Sequence, residues 1–600
     1  MNLATIDWVL IGAFFVISLI IGIVVSKKAG SSASEFFLSG RNMPWWLLGI
    51  SMVATTFSAD TPNLVTDIVR QNGVSGNWVW WCFLLTGMLT VFVYAKLWRR
   101  SGVQTDLEFY ELRYSGKPAA FLRGFRAIYL GFFFNIMIMA TVSLAAIKIG
   151  GVMLGLTPIQ TLLIASVVTV FYSSLGGLRG VLITDFFQFF IAMIGAIWAA
   201  NVALNLPEVG GLSNLLSNEL VADKLSVIPD FSSMSFKDLL PLFILPLAVQ
   251  WWSVWYPGAE PGGGGYIAQR MLSAKDETHA TGATLLFNAA HYALRPWPWI
   301  IIALCSIVVF PNLSDIQAAF PNVSEDLIGN DLAYPAMLTF LPAGLLGLVL
   351  ASLIAAFMST ISTHLNWGSS YLVYDFYQRF VKPEASEKEL VNVGRVSTVL
   401  LMVLSAGLAL ALENALQAFN ILLQIGAGTG LIFILRWFWW RINAYSEIAA
   451  MAISFILALY FQIVHEKLGF APIEDEYQLI YGIILTTIGW VTVTFLAPST
   501  DDKTLRNFYK VIQPSGSGWD TVIAKAASDG EPLAENPARG RLPLEILCMV
   551  IGSLTVYSAL FATGFWIYGK MTLALILTAV AAGGTLFLFR TWGKLQGTAS

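Results

Sequence analysis

The chain has 600 residues, of which 56% are hydrophobic and only 12% are charged, and its formal net charge is −3. Soluble globular chains carry about 25% charged residues, so this composition and a mean hydropathy of +0.70 exclude an ordinary soluble protein. The charges form no basic stripe of the kind that binds nucleic acid.

Apolar stretches of about 20 residues recur along nearly the full length, which predicts an all-α polytopic membrane protein. No basic stretch precedes the first of them, so we interpret it as a retained span and not as a cleaved signal. About fifteen segments are long and apolar enough to cross a bilayer. They lie at residues 6–26, 44–70, 78–98, 124–149, 157–176, 181–205, 238–256, 281–310, 337–376, 393–412, 415–440, 444–465, 477–496, 543–568 and 571–590.

The charges of the connecting loops predict the orientation of these spans, because Lys and Arg concentrate in cytoplasmic loops. With the amino terminus outside, the basic clusters at residues 27–28, 99–100, 113–126, 379–382 and 436–441 all lie inside. A reversed topology would need the opposite bias. We therefore expect a multi-pass protein of the cell membrane with its amino terminus outside.

The second span contains a polar interruption at its centre, in residues 54–62. A continuous helix facing lipid would not collect these groups, and Pro62 removes a backbone donor and frees a carbonyl about four residues upstream. Freed carbonyls are tolerated at membrane depth only where protein, water or an ion satisfies them. The interruption contains Thr55, Thr56, Ser58, Asp60, Thr61 and Pro62.

A second interruption, rich in glycine and proline, covers residues 251–265. Paired interruptions at corresponding positions of two five-helix halves predict an inverted-repeat transporter. The inner loop at 497–542 is polar, and we expect it to be partly mobile. The predicted units are a leading helix with its inner loop (1–43), a first repeat (44–205), an outer loop (206–237), a second repeat (238–441) and accessory helices (442–600).

The ninth span carries a row of hydroxyls. Ser359, Ser362 and Thr363 share one helical face by their i, i+3, i+4 spacing, Thr360 flanks them, and Ala356 lies one turn earlier. Such hard, neutral oxygens suit an exchangeable alkali cation better than zinc or copper. On the spacing alone, the alternative that these hydroxyls bond to carbonyls of their own helix or join neighbouring helices stays open.

Motifs spread over residues 35–441 resemble the sodium/solute symporter family, which includes bacterial sodium/galactose and sodium/sialic acid symporters. The resemblance implies a leucine-transporter-type core of two inverted five-helix repeats, with one leading and about four trailing helices, and sodium-coupled symport by alternating access. The motifs are FFLSGRNMPWW at 36–46, FYSSLGGL at 171–178, Thr184-Asp185 with Gln188, QRMLSAK at 269–275 and the hydroxyl helix with Asn366.

The resemblance also implies a first sodium site, and some members of the family have a second, for which this chain has the parts. Asp185 would belong to the second site. Its carboxylate lies near the inner end of its span, however, and could instead pair with Arg179 or be hydrated. The first site would use the carbonyls of Ala54, Phe57 and Ala356 and the hydroxyls of Ser359 and Thr360. The second would use Asp185, Ser359, Ser362 and Thr363.

The solute site is predicted only in outline. Compared with galactose-type members, Trp80 and Phe83 replace a Glu and a Ser, and His291 replaces a Lys, so a galactose-like sugar site does not transfer. Aromatic walls would hold a sugar ring or a quaternary amine equally well, and Arg295 could receive a carboxylate or anchor at the interface. The candidate residues are Ser58, Thr61, Trp80, Phe83, Gln250, Trp252, Ser253, His291 and Gln424, with Trp255 as a further aromatic.

We expect sodium-driven import of a small polar organic solute, foremost a sugar or sugar derivative, by a protein that works as a monomer in the bilayer. An organic acid, an amino acid or a quaternary amine is the alternative solute, and a solute sensor on the same scaffold is the alternative function. A sensor would need a signalling domain, and residues 497–542 are few for one. A channel would need a continuous polar lining, and a membrane enzyme would need paired carboxylates or a metal cluster within a span.

Overall fold

Helices make up most of the part of the chain that the structure describes. The structure is a computed structural model that describes the chain apart from residues 1–2, 57, 233, 255–259, 322–327, 413–425, 427, 534–539 and 597–600. Among the described residues, 11 helices are long and apolar enough to cross a membrane by length and composition. The predicted all-α polytopic architecture is therefore confirmed.

The first half of the chain contains the leading helix and the helices around the first interruption. Short helices at Ala33–Leu38 and Phe109–Arg113 connect them at one end of the bundle. The main helices are α1 (Thr5–Ala29), α2 (Trp45–Thr56), α3 (Thr61–Asn72), α4 (Val74–Ser101), α5 (Gly116–Leu154) and α6 (Pro158–Leu204).

The second half begins with short helical turns over residues 236–252. Further short helices at Leu313–Ala319 and Ala333–Leu338 precede the hydroxyl helix. The main helices are α7 (Gly265–Ser273), α8 (Glu277–Val309), α9 (Leu345–Val381), α10 (Glu387–Ala411), α11 (Gly430–Leu435), α12 (Ala444–Val464), α13 (Asp475–Leu496), α14 (Asp502–Ile512), α15 (Asp520–Ser528), α16 (Leu542–Ile567) and α17 (Met571–Gln596).

Two predicted spans, 157–176 and 181–205, are joined in the long helix α6, which bends at Gly177. The backbone of Gly177 has φ +52° and ψ −159°, a conformation that side chains with a Cβ rarely adopt. A Cβ at this position would also lie 2.6 Å from the carbonyl oxygen of Phe36. Glycine therefore fits the bend both in conformation and in space.

The hydroxyl helix α9 lies at the centre of the bundle. Nearly every side chain from Leu345 to Ser370 is buried, against α1, α5, α6 and α10. Its first turn is capped by Asp7 of α1, whose Oδ1 accepts the N–H groups of Gly344 at 2.7 Å and Gly347 at 2.8 Å. A carboxylate at this end of a helix satisfies free backbone donors and complements the helix dipole.

Buried charges fix the last part of the second interruption. Glu260 forms an ion pair with Arg126 of α5, and the two side chains are 3% and 4% exposed. The next helix begins where Asp106 Oδ2 accepts the N–H of Gly265 at 2.9 Å. These contacts attach the start of α7 to the first half of the chain.

Within the polar segment 497–542, the described residues include two docked helices, α14 and α15. Along α14, Leu505, Phe508, Tyr509 and Ile512 are buried, which is the spacing of one apolar helical face. The guanidinium of Arg113 lies 5.3 Å from the ring centre of Phe508 and 4.9 Å from that of Trp519. Packing and cation–π contacts therefore order this part of the chain.

Candidate ion and solute site

The first interruption is a true break between two helices. Helix α2 ends at Thr56 and α3 begins at Thr61, so the break lies inside the predicted stretch 54–62. Phe57, a predicted sodium ligand, lies outside the described residues. The last carbonyls of α2 have no partner in their own helix, and other groups must satisfy them.

Two buried side chains from other helices bind most of these carbonyls. Arg295 of α8 donates from Nη1 to the Val53 carbonyl at 3.1 Å and from Nη2 to the Thr56 carbonyl at 3.4 Å. The Thr360 hydroxyl of α9 donates to the Thr55 carbonyl at 2.9 Å. No donor from the described residues reaches the carbonyl of Ala54. The carbonyl of Ala54 can therefore still accept a bond.

The hydroxyl row of α9 faces this break. Thr363 Oγ1 lies 3.0 Å from Thr55 Oγ1, and Ser362 Oγ bonds back to the Ser359 carbonyl at 3.1 Å. Ser359 is fully buried, and its hydroxyl faces the Asp185 carboxylate without a hydrogen bond of normal geometry to any described residue. An unpaired buried hydroxyl costs free energy, so Ser359 offers an oxygen suited to a cation. Ala356, also buried, lies one turn away.

Asp185 of α6 lies beside the same hydroxyls. Its Oδ2 accepts a bond from Ser51 of α2 at 2.5 Å. Its Oδ1 is buried and unpaired among the described residues, and the carboxylate faces Ser359 and Arg270. The pairing with Arg179 that the sequence left open is not what the structure has, because the nearby cation is Arg270.

Arg270 of α7 is the residue that the sequence analysis missed. It is fully buried, and its Nη2 donates to Thr363 Oγ1 at 2.7 Å, with longer contacts of 3.4 Å to the hydroxyls of Ser51 and Thr55. Its place in the motif at 269–275 was the available signal, since an arginine within a membrane protein needs buried partners. Spacing along the chain could not identify those partners.

An aromatic cluster lies against the broken helix. The ring of Trp80 is 5.7 Å from the ring of His291 and 5.9 Å from that of Tyr292. His291 is buried, and its Nδ1 has no partner within the described ranges. His291 and Arg295 lie on the same helix, and Arg295 binds the end of α2, so this cluster borders the break.

The other predicted solute residues are placed less closely together. Ser58 is buried in the break with an unpaired hydroxyl, as far as the described residues go, and Thr61 opens α3. Gln250 donates to the Val79 carbonyl at 2.9 Å, next to Trp80. The side chains of Trp252 and Ser253 bond back to their own turn. Phe83 is partly buried at the core, while Trp255 and Gln424 lie outside the described residues.

Two further side chains that the sequence left ambiguous are placed in the interior. Arg295 is 1% exposed and binds backbone carbonyls, so it is not an interfacial anchor. His364 of α9 is also buried, with Nδ1 2.7 Å from Oδ1 of Asn135 on α5. His364 therefore joins two helices, which is a structural role.

The geometry agrees with the comparison to known proteins. The sequence profile of the sodium:solute symporter family matches residues 36–454. The chain belongs to the sodium:solute symporter family. This symporter is 25% identical over 526 residues to the sodium/glucose cotransporter of Vibrio parahaemolyticus, covering 84% of this chain and 92% of that protein. It is 25% identical over 525 residues to the sodium/myo-inositol cotransporter 2 of Oryctolagus cuniculus, covering 81% and 76%.

A solved structure shares the fold. The structure of a Na+-coupled sialic acid symporter superimposes with a TM-score of 0.65 at 20% identity, covering 83% of this chain and 100% of that chain. The predicted family, the leucine-transporter-type fold and sodium-coupled solute symport are confirmed by these findings. The symporter is a multi-pass membrane protein whose partners are sodium and a small solute.

Proposed function

We propose that this symporter imports a sugar or a sugar derivative together with sodium by alternating access. The relatives are named for glucose and myo-inositol, and the protein that shares its fold is named for sialic acid. A polyhydroxylated ring is common to these three solutes. The aromatic cluster of Trp80, His291 and Tyr292 supports such a solute, because aromatic faces pack against sugar rings.

Arg295 supports a solute that does not rely on a carboxylate. A carboxylate would need the paired N–H donors of the guanidinium, and those donors already bind the Val53 and Thr56 carbonyls. Arg295 therefore stabilises the break of the helix, and an organic acid is a weaker candidate than an uncharged polyol. Amino acids and quaternary amines remain the alternatives that a solute screen tests.

The first sodium ion is proposed to bind between the break and α9. Its ligands would be the carbonyls of Ala54, Phe57 and Ala356 and the hydroxyls of Ser359 and Thr360. The observation that carries this proposal is the bond from Thr360 to the Thr55 carbonyl, which holds the hydroxyl row against the broken helix end. A weakly held alkali cation requires neutral oxygens. The Ser359 hydroxyl and the Ala54 carbonyl would supply them, because no described donor bonds to either oxygen.

Coupling would follow from the position of this ion. Sodium would join α2 to α9 and favour the state in which the solute pocket is formed, and its loss inward would release both. A second sodium is proposed at Asp185, Ser359, Ser362 and Thr363. At a membrane potential of 100 mV, each additional charge contributes about 2.3 kcal/mol, roughly a fifty-fold larger solute gradient.

The orientation with the amino terminus outside, in the cell membrane, is proposed from the basic residues. Arg100 pairs with Glu277 and donates to the Ile512 carbonyl of α14, and Arg441 donates to the Ala497 carbonyl. These cations share one end of the bundle with the docked segment 497–542, as a cytoplasmic end would require. We propose a monomer as the working unit, because the residues of both proposed ion sites belong to one chain.

Solute uptake by the purified protein in proteoliposomes tests the proposal. A thermal-shift screen of sugars, sugar acids, amino acids and carboxylates, in sodium chloride and in potassium chloride of equal ionic strength, would first identify the solute. The expected result is a sodium-dependent shift for a sugar or polyol. Counterflow of that labelled solute against its gradient would then separate a carrier from a sensor or a channel, which cannot support it.

Thr360→Val is the matched variant for the first ion. It should raise the sodium concentration for half-maximal uptake by at least tenfold, whereas Ser352→Ala on the same helix, whose hydroxyl bonds back to Val349 at 2.7 Å, should leave it unchanged. Uptake that is equally fast in potassium, or a Thr360→Val variant with wild-type sodium dependence, would overturn the proposal.

A further inference from the structure

The proposed second sodium site lies next to a cation that belongs to the protein. Arg270 Nη2 donates to Thr363 Oγ1 at 2.7 Å, and it contacts the hydroxyls of Ser51 and Thr55 at 3.4 Å. Ser51 in turn donates to Asp185 at 2.5 Å. The Ser51 hydroxyl therefore lies between the Arg270 guanidinium and the Asp185 carboxylate, which the second sodium would use.

The charges around this position balance without sodium. Arg270 and Asp185 are both fully buried, and they carry one positive and one negative charge. A buried charge without a counter-ion is strongly destabilising, so Arg270 stabilises Asp185 while sodium is absent. The unpaired Oδ1 of Asp185 and the Ser359 hydroxyl are the oxygens that this arrangement leaves for an incoming ion.

Sodium and Arg270 would compete at Thr363. A sodium ion on Thr363 Oγ1 would lie within about 5 Å of the guanidinium nitrogen, because that nitrogen is 2.7 Å from the same oxygen. Two like charges at this separation, with an effective dielectric constant of about 20, weaken binding by roughly two orders of magnitude. The second ion can therefore bind tightly only if the guanidinium withdraws.

We propose that Arg270 is a tethered counter-ion of the second cation site, which occupies Thr363 when sodium is absent and sets the affinity of the second sodium. This inference rests on the second sodium site of the proposed function and adds its affinity-determining residue. A change at Arg270 alone would then lower or raise the affinity for the second sodium, with the proposed ligands unchanged.

The competition would also link binding of the second sodium to the packing of α7 against α9. Arg270 lies on α7, which directly follows the second interruption, whereas Asp185 lies on α6 and Thr363 on α9. Its neighbour Gln269 ties α7 to α9 through a bond to Asn366 at 2.9 Å. Displacing Arg270 from Thr363 would remove one of the bonds that hold α7 against α9.

Equilibrium sodium binding to Arg270→Gln tests the inference without relying on transport. The thermal shift of purified protein would be titrated with sodium chloride against potassium chloride, with no solute present. Arg270→Gln removes the charge but keeps an N–H donor for Thr363, so the second sodium should bind at least tenfold more tightly. Arg270→Lys keeps the charge and should stay within about threefold of wild type.

Combining Asp185→Asn with Arg270→Gln should abolish the gain in sodium affinity, because the carboxylate that attracts sodium is lost. If Arg270→Gln does not fold, Arg270→Met provides the same loss of charge with an apolar side chain of similar length. Weaker or unchanged sodium binding in the neutral variant would overturn the inference. Thr360→Val separates this failure from failure of the proposed function, since it tests the first ion alone.

Discussion

Replacing Ser359 by alanine should separate sodium binding from stability. The Ser359 hydroxyl is fully buried and unpaired among the described residues, an arrangement that costs roughly 1–3 kcal/mol. Without sodium, Ser359→Ala should therefore be at least as stable as wild type, with a free energy of unfolding higher by about 1 kcal/mol. The same change removes one ligand from each proposed ion site, so half-saturation by sodium should need at least tenfold more sodium.

Thr360→Ala provides the contrast on the neighbouring residue. The Thr360 hydroxyl satisfies the Thr55 carbonyl at 2.9 Å, so its loss leaves a buried acceptor unpaired and should lower the free energy of unfolding by about 1–3 kcal/mol. The double variant Ser359→Ala/Thr360→Ala should fold and yet lose sodium-stimulated uptake.

The sodium-dependent thermal shift would be measured on purified protein, and the initial uptake rate on the same protein reconstituted in proteoliposomes. Ser352→Ala is the control for a buried serine on the same helix. The reasoning is refuted if Ser359→Ala binds sodium as wild type does. It is also refuted if Ser359→Ala is strongly destabilised in potassium chloride, because the Ser359 hydroxyl would then have a hydrogen-bond partner in the wild type.

Three further predictions concern other buried residues. Asp185→Asn should make sodium activation of uptake less steep, and an unaltered Hill slope would argue against a second ion. Glu260→Gln removes one partner of the buried pair with Arg126, so chemical denaturation should show a loss of about 3–5 kcal/mol; wild-type stability would contradict a desolvated pair. Gly177→Ala should lower the melting temperature and yield, because its Cβ would meet a backbone oxygen at 2.6 Å, whereas Gly180→Ala on the same helix should be tolerated.

The parts of the site that could be predicted from the sequence are local. Pro62 and the clustered hydroxyls around it signal a helix break within a few residues, and the structure has that break between Thr56 and Thr61. The i, i+3, i+4 spacing of Ser359, Ser362 and Thr363 likewise depends only on helix geometry. Such features need no knowledge of which helices are neighbours.

The partners of buried charges could not be predicted, because they depend on how distant helices pack. Asp185 lies near Arg270, 85 positions away, and not near Arg179, which is close in sequence. Arg295 binds carbonyls on a helix that precedes it by more than 200 residues. The roles of the predicted sodium and solute residues stay predictions until binding is measured.

The two helices α14 and α15 within the segment 497–542 were not predicted, for a different reason. The segment's polar composition suggested mobility, yet Leu505, Phe508 and Ile512 carry the periodicity of an amphipathic helix. The apolar face needed a partner, which Arg113 and Trp519 help to provide. Periodicity was the better guide here than composition.

The cap that Asp7 places on α9 makes the leading helix more than a membrane anchor. One carboxylate oxygen of Asp7 accepts the backbone N–H groups of Gly344 and Gly347, so the first turn of the central helix is fastened to the leading helix. Shortening the chain at its amino end, or attaching a bulky fusion there, would loosen the first turn of α9 from a distance.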